Sequence, residues 1–169
     1  MFFNLSYAQN ITSTTVSAQS PNYNYDMLKL VNLVKTSKPD FPFAAMIIDN
    51  SSGKILCINT NQNDKALNLN IHAEIMTIYS CAKKYKNINW QNTTLITTAA
   101  PCAMCMGTII YTGISKVVYG TSISYLNKHY GNQIEINPEK IAQKSQFNKV
   151  TVIGGVMASQ TNLLYNLQG

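Results

Sequence analysis

Residues 93–111, TTLITTAAPCAMCMGTIIY, constrain the fold of this chain more than any other stretch. The run TTLITTA, rich in β-branched side chains, predicts a short buried strand. Pro101 stops it, and CAMCMGTIIY predicts a helix that starts directly behind the proline. A helix that leaves the end of a strand with almost no loop is the building unit of α/β architecture. It carries Cys102 and Cys105 into the helix start. A Cys-x-x-Cys pair alone leaves three readings open: a redox dithiol, half of a metal site, or two small apolar residues that fell together.

The flanking sequence repeats the alternation. Residues 1–23 read as a flexible leader, rich in Ser, Thr, Asn and Gln from residue 10, and residues 24–169 as one domain. YDMLKLVNLVK, residues 25–35, has helical spacing of apolar positions. Apolar runs at 43–48 and 55–58 flank Asn50, Ser51, Ser52 and Gly53 and predict a hairpin. Polar chain follows to Asn70, and IHAEIMTIYSCAKKY predicts a helix with Ile71, Ile75, Ile78 and Cys81 or Ala82 on its apolar face. SKVVYG and KVTVIGG read as strands and TNLLYNL as a closing helix. Residues 122–146 read as irregular apart from a helical piece at Tyr125–His129. The pattern predicts a sheet covered by helices on both faces.

With 169 residues and 46% apolar content, the chain can bury a substantial core. Its net charge of +6 comes from 13 basic and 7 acidic residues. Every basic residue is lysine. Arginine is the preferred bidentate partner of phosphates and bases, and the lysines are scattered, with Lys83, Lys84 and Lys86 the densest group. A solvated lysine-rich face is therefore favoured over a dedicated nucleic-acid surface. Four cysteines are too few for a disulfide scaffold, and Cys57 and Cys81 read as core thiols. No window has the apolar length to span a bilayer. A cytoplasmic protein is the expectation, although MFFNLSYAQN also fits the stub of an export signal.

The chain has two histidines. His72 stands at a predicted helix start with Glu74 two positions on, as the two cysteines stand at another. In a strand-then-helix fold both starts can face one crevice, and helix N-termini favour thiolates. One imidazole and two thiolates leave a fourth tetrahedral position for water, the pattern of catalytic zinc. Glu74 is then suited to carry the water's proton to the substrate. His129 reads as a loop residue or a group behind the ligands.

HAE followed by PCAMC matches the His-x-Glu … Pro-Cys-x-x-Cys signature of zinc-dependent nucleobase deaminases. The chain resembles the cytidine deaminase-like superfamily, in its branch of guanine deaminases and tRNA adenosine deaminases, from about Phe43 to Gly120 and more faintly to the C-terminus. The resemblance implies an α/β fold, a three-layer α/β/α sandwich with a central five-stranded mixed sheet, and a homodimer. It implies one Zn2+ per chain on His72, Cys102 and Cys105 with water or hydroxide as fourth ligand, and Glu74 as proton shuttle. It places Asn61, the Ala73 backbone and the segment from Phe43 to Ala45 at the substrate, with Asn59 a weaker substitute for Asn61. The chain departs from the family pattern in three places: Ala100 where glutamate is usual, residues 68–70 where Asp-Pro-Thr is usual, and Ala44 for a common glycine.

These residues imply hydrolytic deamination of a nucleobase or related small aminated heterocycle, guanine-like first, with editing of adenosine in tRNA as the alternative. A zinc module without catalysis and a redox protein are the readings from other classes. Tyr125 or Tyr130, within 122–147, is expected to help close the pocket.

Overall fold

The computed structural model describes residues 22–64 and 69–166; most of the expected leader lies outside them. The first helix, α1 (Tyr23–Ser37), starts two residues before the predicted position. The Asn22 side chain accepts the Tyr25 N–H and supplies the cap. Met27, Leu30, Val31 and Val34 follow at helical spacing and are buried. Lys38, at φ 46°, turns the chain out of the helix.

The hairpin forms as expected from β1 (Ala44–Asp49) and β2 (Ile55–Thr60). Asp49 Oδ1 accepts the Ser51 and Ser52 N–H groups, and Gly53 takes the positive φ that closes the turn. The polar stretch after it is not all irregular: β3 (Gln62–Asp64) and β4 (Leu69–Ile71) form a small antiparallel pair. Backbone ladder bonds hold such short strands whatever their side chains, so no apolar pattern announced them.

Next come α2 (Ala73–Lys84), β5 (Thr93–Ala99), α3 (Ala103–Thr112) and β6 (Lys116–Thr121). Gly113, at φ 95°, ends α3 by donating to the Ile109 and Ile110 carbonyls. Then follow α4 (Ile123–His129), α5 (Pro138–Lys144), β7 (Thr151–Ile153) and α6 (Ala158–Thr161). The region expected to be irregular thus contains a second short helix. Its signal was Pro138 at the first helical position, where the missing N–H costs nothing. The closing segment is the single turn of α6 followed by a 3-10 turn at Asn162–Leu164, rather than one helix.

The main sheet has five strands in the order β2-β1-β5-β6-β7. The first three run antiparallel to their neighbours and the last three parallel, so it is mixed. The register puts Ile47, Leu95 and Val117 in one row, facing α2 and α3 through Ile78, Met106 and Ile109. The alternate row, Met46, Ile96 and Val118, faces α1 through Met27, Leu30 and Val34. Two cores on opposite faces of one sheet make the three-layer sandwich.

Two expectations change. The buried stripe of α2 is Ala73, Glu74, Thr77, Ile78 and Cys81, with Ile71 and Ile75 only half-buried. Thr77 is accommodated in the stripe because its hydroxyl is satisfied there, at 2.7 Å from the Ala73 carbonyl one turn back and 3.2 Å from the Ala45 carbonyl of β1. Cys57 and Cys81 are not free thiols but a disulfide, with Cα atoms 5.6 Å apart, joining β2 to α2. The pairing needs β2 and α2 in register, which 24 residues of sequence separation conceal. Among the described residues no helix is long and apolar enough to cross a membrane.

Candidate active site

The C-terminal end of β5 is where the sheet changes from antiparallel to parallel neighbours, and a crevice opens there. His72 is the N-cap of α2 and Cys102 the N-cap of α3, and neither spends its side chain on capping its own helix. Both side chains turn toward each other instead. His72 Nδ1 lies 3.7 Å from Cys102 Sγ and 3.4 Å from Cys105 Sγ. All three potential ligand atoms fall within 4.8 Å of one another.

These separations test the fit of a metal. Zinc–sulfur and zinc–nitrogen bonds of tetrahedral centres require a sulfur-to-nitrogen edge of roughly 3.6 Å. The two observed edges bracket that value. The donor set, two soft sulfurs and one imidazole, is one that zinc accepts.

Electrostatics point the same way. The Cys102 thiol is lowered to about 4, chiefly by the hydrogen bond from Cys105 and then by His72. Cys105 moves in the opposite direction: it donates to Cys102, and burial disfavours a second anion there. The pair therefore shares one proton, which a divalent cation would displace. The Cys102 hydrogen bond raises His72, and burial raises Glu74, which is 6% exposed.

A cavity of about 160 Å³ opens over this cluster. His72, Glu74, Cys102 and Asn61 supply polar wall, and Phe43 supplies apolar wall. Asn61 also braces α2, because its Oδ1 accepts the Ala73 N–H at 2.7 Å. Ala45 and Ala73 stay out of the wall. Both are fully buried, and the Ala45 carbonyl is turned to Thr77. Asn59 bonds Ser80 instead.

From the segment after β6, Leu126, Tyr130 and Gln133 reach the cavity. Tyr130 meets the Phe43 ring edge-on at 5.4 Å. Tyr125 stacks on His129 at 4.3 Å, and neither residue lines the cavity. Phe41, Leu126 and Gln133 were not read from sequence, because no periodicity or motif marks them. Nor was Tyr165, which is wholly buried, packs on Phe43 at 4.9 Å and donates to Thr98 Oγ1.

Residues 21–121 match the model of the cytidine and deoxycytidylate deaminase zinc-binding region. The chain belongs to this zinc-dependent deaminase family. It is a hydrolytic deaminase, and zinc is its cofactor. This deaminase is 29% identical over 128 residues to a tRNA-specific adenosine deaminase of Rickettsia bellii, covering 76% of this chain and 85% of the relative. It is 34% identical over 122 residues to one of Buchnera aphidicola, covering 66% and 71%. In fold it is similar to a guanine deaminase from Nitrosomonas europaea, with TM-score 0.75 at 21% identity over 88% of this chain and 84% of that one. A structure from work on A-to-I editing by tRNA deaminases at the wobble position gives TM-score 0.66 at 17% identity, covering 83% and 99%.

Proposed function

We propose that His72, Cys102 and Cys105 hold the zinc ion and that Glu74 moves protons during hydrolytic removal of an amine from a purine base. The convergence of one ring nitrogen and two sulfurs beside a buried carboxylate, on the wall of one cavity, carries this reading. When bound, zinc supplies a Lewis acid that brings the pKa of a coordinated water toward neutrality. Glu74 takes one proton from the attacking water and gives it to a ring nitrogen. It then takes the second from the hydroxyl now on the attacked carbon and gives it to the amine, which leaves as ammonia as the C–N bond breaks. Phe43 and Tyr130 offer apolar faces to the base, and Asn61 fixes the first turn of α2 that bears Glu74.

Adenosine within tRNA is the substrate class that the sequence relatives favour, since both named above are tRNA-specific adenosine deaminases. A free guanine-like base is the second reading. The absence of arginine speaks for it, because a polynucleotide needs phosphate contacts along its length. Zinc-loaded protein is assayed for inosine in tRNA transcripts and for ammonia from free guanine, adenine and cytosine. Inosine in tRNA without release from free bases selects the first reading; the converse selects the second. Activity on none of them overturns both.

A homodimer is proposed from the family resemblance, with sedimentation as its test. The expected cytoplasmic location meets one opposing observation: the Cys57–Cys81 disulfide suits an oxidising compartment. Counting free thiols in protein recovered from cells without reductant decides between them.

A further inference from the structure

The polar groups of the cavity wall divide by role. His72 and Cys102 face the metal position, Glu74 serves the proton, and the Asn61 oxygen is engaged with the Ala73 N–H. Gln133 and the Tyr130 hydroxyl are the polar groups in that wall, among the described residues, to which none of these roles falls, and Gln133 is the amide of the two. It lies beyond α4 in a stretch without regular structure, yet its backbone is pinned, because its N–H donates to the Asn127 side-chain oxygen of α4. Its side-chain Nε2 donates to the Gly131 carbonyl at 3.5 Å, the outer limit of a hydrogen bond. Such a bond is readily exchanged for a better acceptor.

A purine whose amine is being removed keeps acceptor nitrogens elsewhere on its rings. A wall that is apolar at Phe41, Phe43, Leu126 and the Tyr130 ring desolvates those nitrogens. Each must then find a donor or lose its hydrogen bond to water. Gln133 can supply one N–H without adding charge.

We propose that Gln133 is a specificity-determining residue that donates a side-chain N–H to a ring nitrogen of the bound purine. The proposal rests on the deaminase reading and names how the base is recognised. Loss of one such bond changes affinity by about fivefold to tenfold.

The test is calorimetric binding of adenine, guanine and their 3-deaza and 7-deaza analogues to zinc-loaded wild type and Gln133→Leu, with ammonia release measured in parallel. In the wild type, one exchange of ring nitrogen for CH is expected to weaken binding about fivefold to tenfold. Gln133→Leu is expected to bind the parent base correspondingly more weakly and to treat parent and analogue alike. Its zinc content and thermal midpoint stay unchanged, and the loss in turnover falls in KM. The proposal is overturned if Gln133→Leu binds the parent as the wild type does, if it still discriminates the analogue, or if neither purine binds the wild type. Purine binding with neither ammonia released from free bases nor inosine formed in tRNA transcripts sinks the deaminase reading while leaving the role of Gln133 standing.

Discussion

The Asn61 side-chain oxygen accepts the backbone N–H of Ala73 at 2.7 Å, tying the chain beyond β2 to the first turn of α2. That N–H is one of the four at a helix start that have no partner within the helix, and Ala73 is fully buried. Between its neighbours His72 and Glu74, Ala73 sits where a small tilt of α2 would move the proposed ligand and the proposed proton carrier together.

Asn61→Ala leaves that buried N–H without its acceptor and is expected to cost about 1–3 kcal/mol. Asn61→Asp keeps an acceptor at a helix start, where negative charge is favoured, so it should retain more stability than the alanine variant. Chemical denaturation of the three proteins checks the order. Equal midpoints for the alanine and wild-type proteins would show the contact to be idle.

Glu74→Gln keeps the side chain's size but removes its capacity to carry a proton. Turnover should fall about 10²–10⁴-fold, the usual worth of general acid–base catalysis. Zinc content by elemental analysis should stay at the wild-type level, since Glu74 is not among the proposed ligands His72, Cys102 and Cys105. A variant as active as wild type would remove Glu74 from the chemistry.

Metal loss should follow acid. With the proposed ligands, His72 must be neutral and both sulfurs deprotonated to bind zinc, so affinity weakens as pH falls. Titration with a chelator at successively lower pH should release zinc at successively lower chelator concentration. Release independent of pH would contradict this ligand set.

The Cys57–Cys81 bridge closes a loop between β2 and α2. Loop closure of this length is worth about 3.5 kcal/mol in the chain-entropy model. The Cys57→Ala, Cys81→Ala double variant should unfold at lower denaturant by a corresponding amount. Titration of denatured, metal-free wild type should find two free thiols, Cys102 and Cys105. Four would show that the bridge had not formed.

Asp49 makes the hairpin turn sensitive to acid. Hydrogen bonds from the Ser52 hydroxyl and N–H, then from Ser51 and Asn92, hold its carboxyl below the ordinary value of 3.8. A carboxyl lowered by folding stabilises the native state above its unfolded pKa, and that stability disappears as pH falls through the folded pKa. Asp49→Ala should therefore melt lower than wild type at pH 7, with the pH-linked part of the difference vanishing well below 3.8. A gap of constant size across that range would remove the charge from the explanation.

Local order wrote much of this protein into its sequence. The Asp-Asn-Ser-Ser-Gly turn, the apolar spacing of α1 and the strand–proline–helix run at 93–111 are decided by residues within one or two turns of each other. So is the placement of His72, Glu74, Cys102 and Cys105 at helix starts, because caps and breakers act over a few residues. Tertiary structure decided what depends on distant partners. Cys57 meets Cys81 only after α2 lies on β2, and Thr77 is buried where α2 packs on β1, with its hydroxyl 3.2 Å from the Ala45 carbonyl. Gln133 and Tyr165 reach the cavity and its Phe43 wall from chain remote in sequence. Periodicity reports which face of an element is apolar; which remote groups arrive against that face depends on long-range packing, which no local pattern encodes.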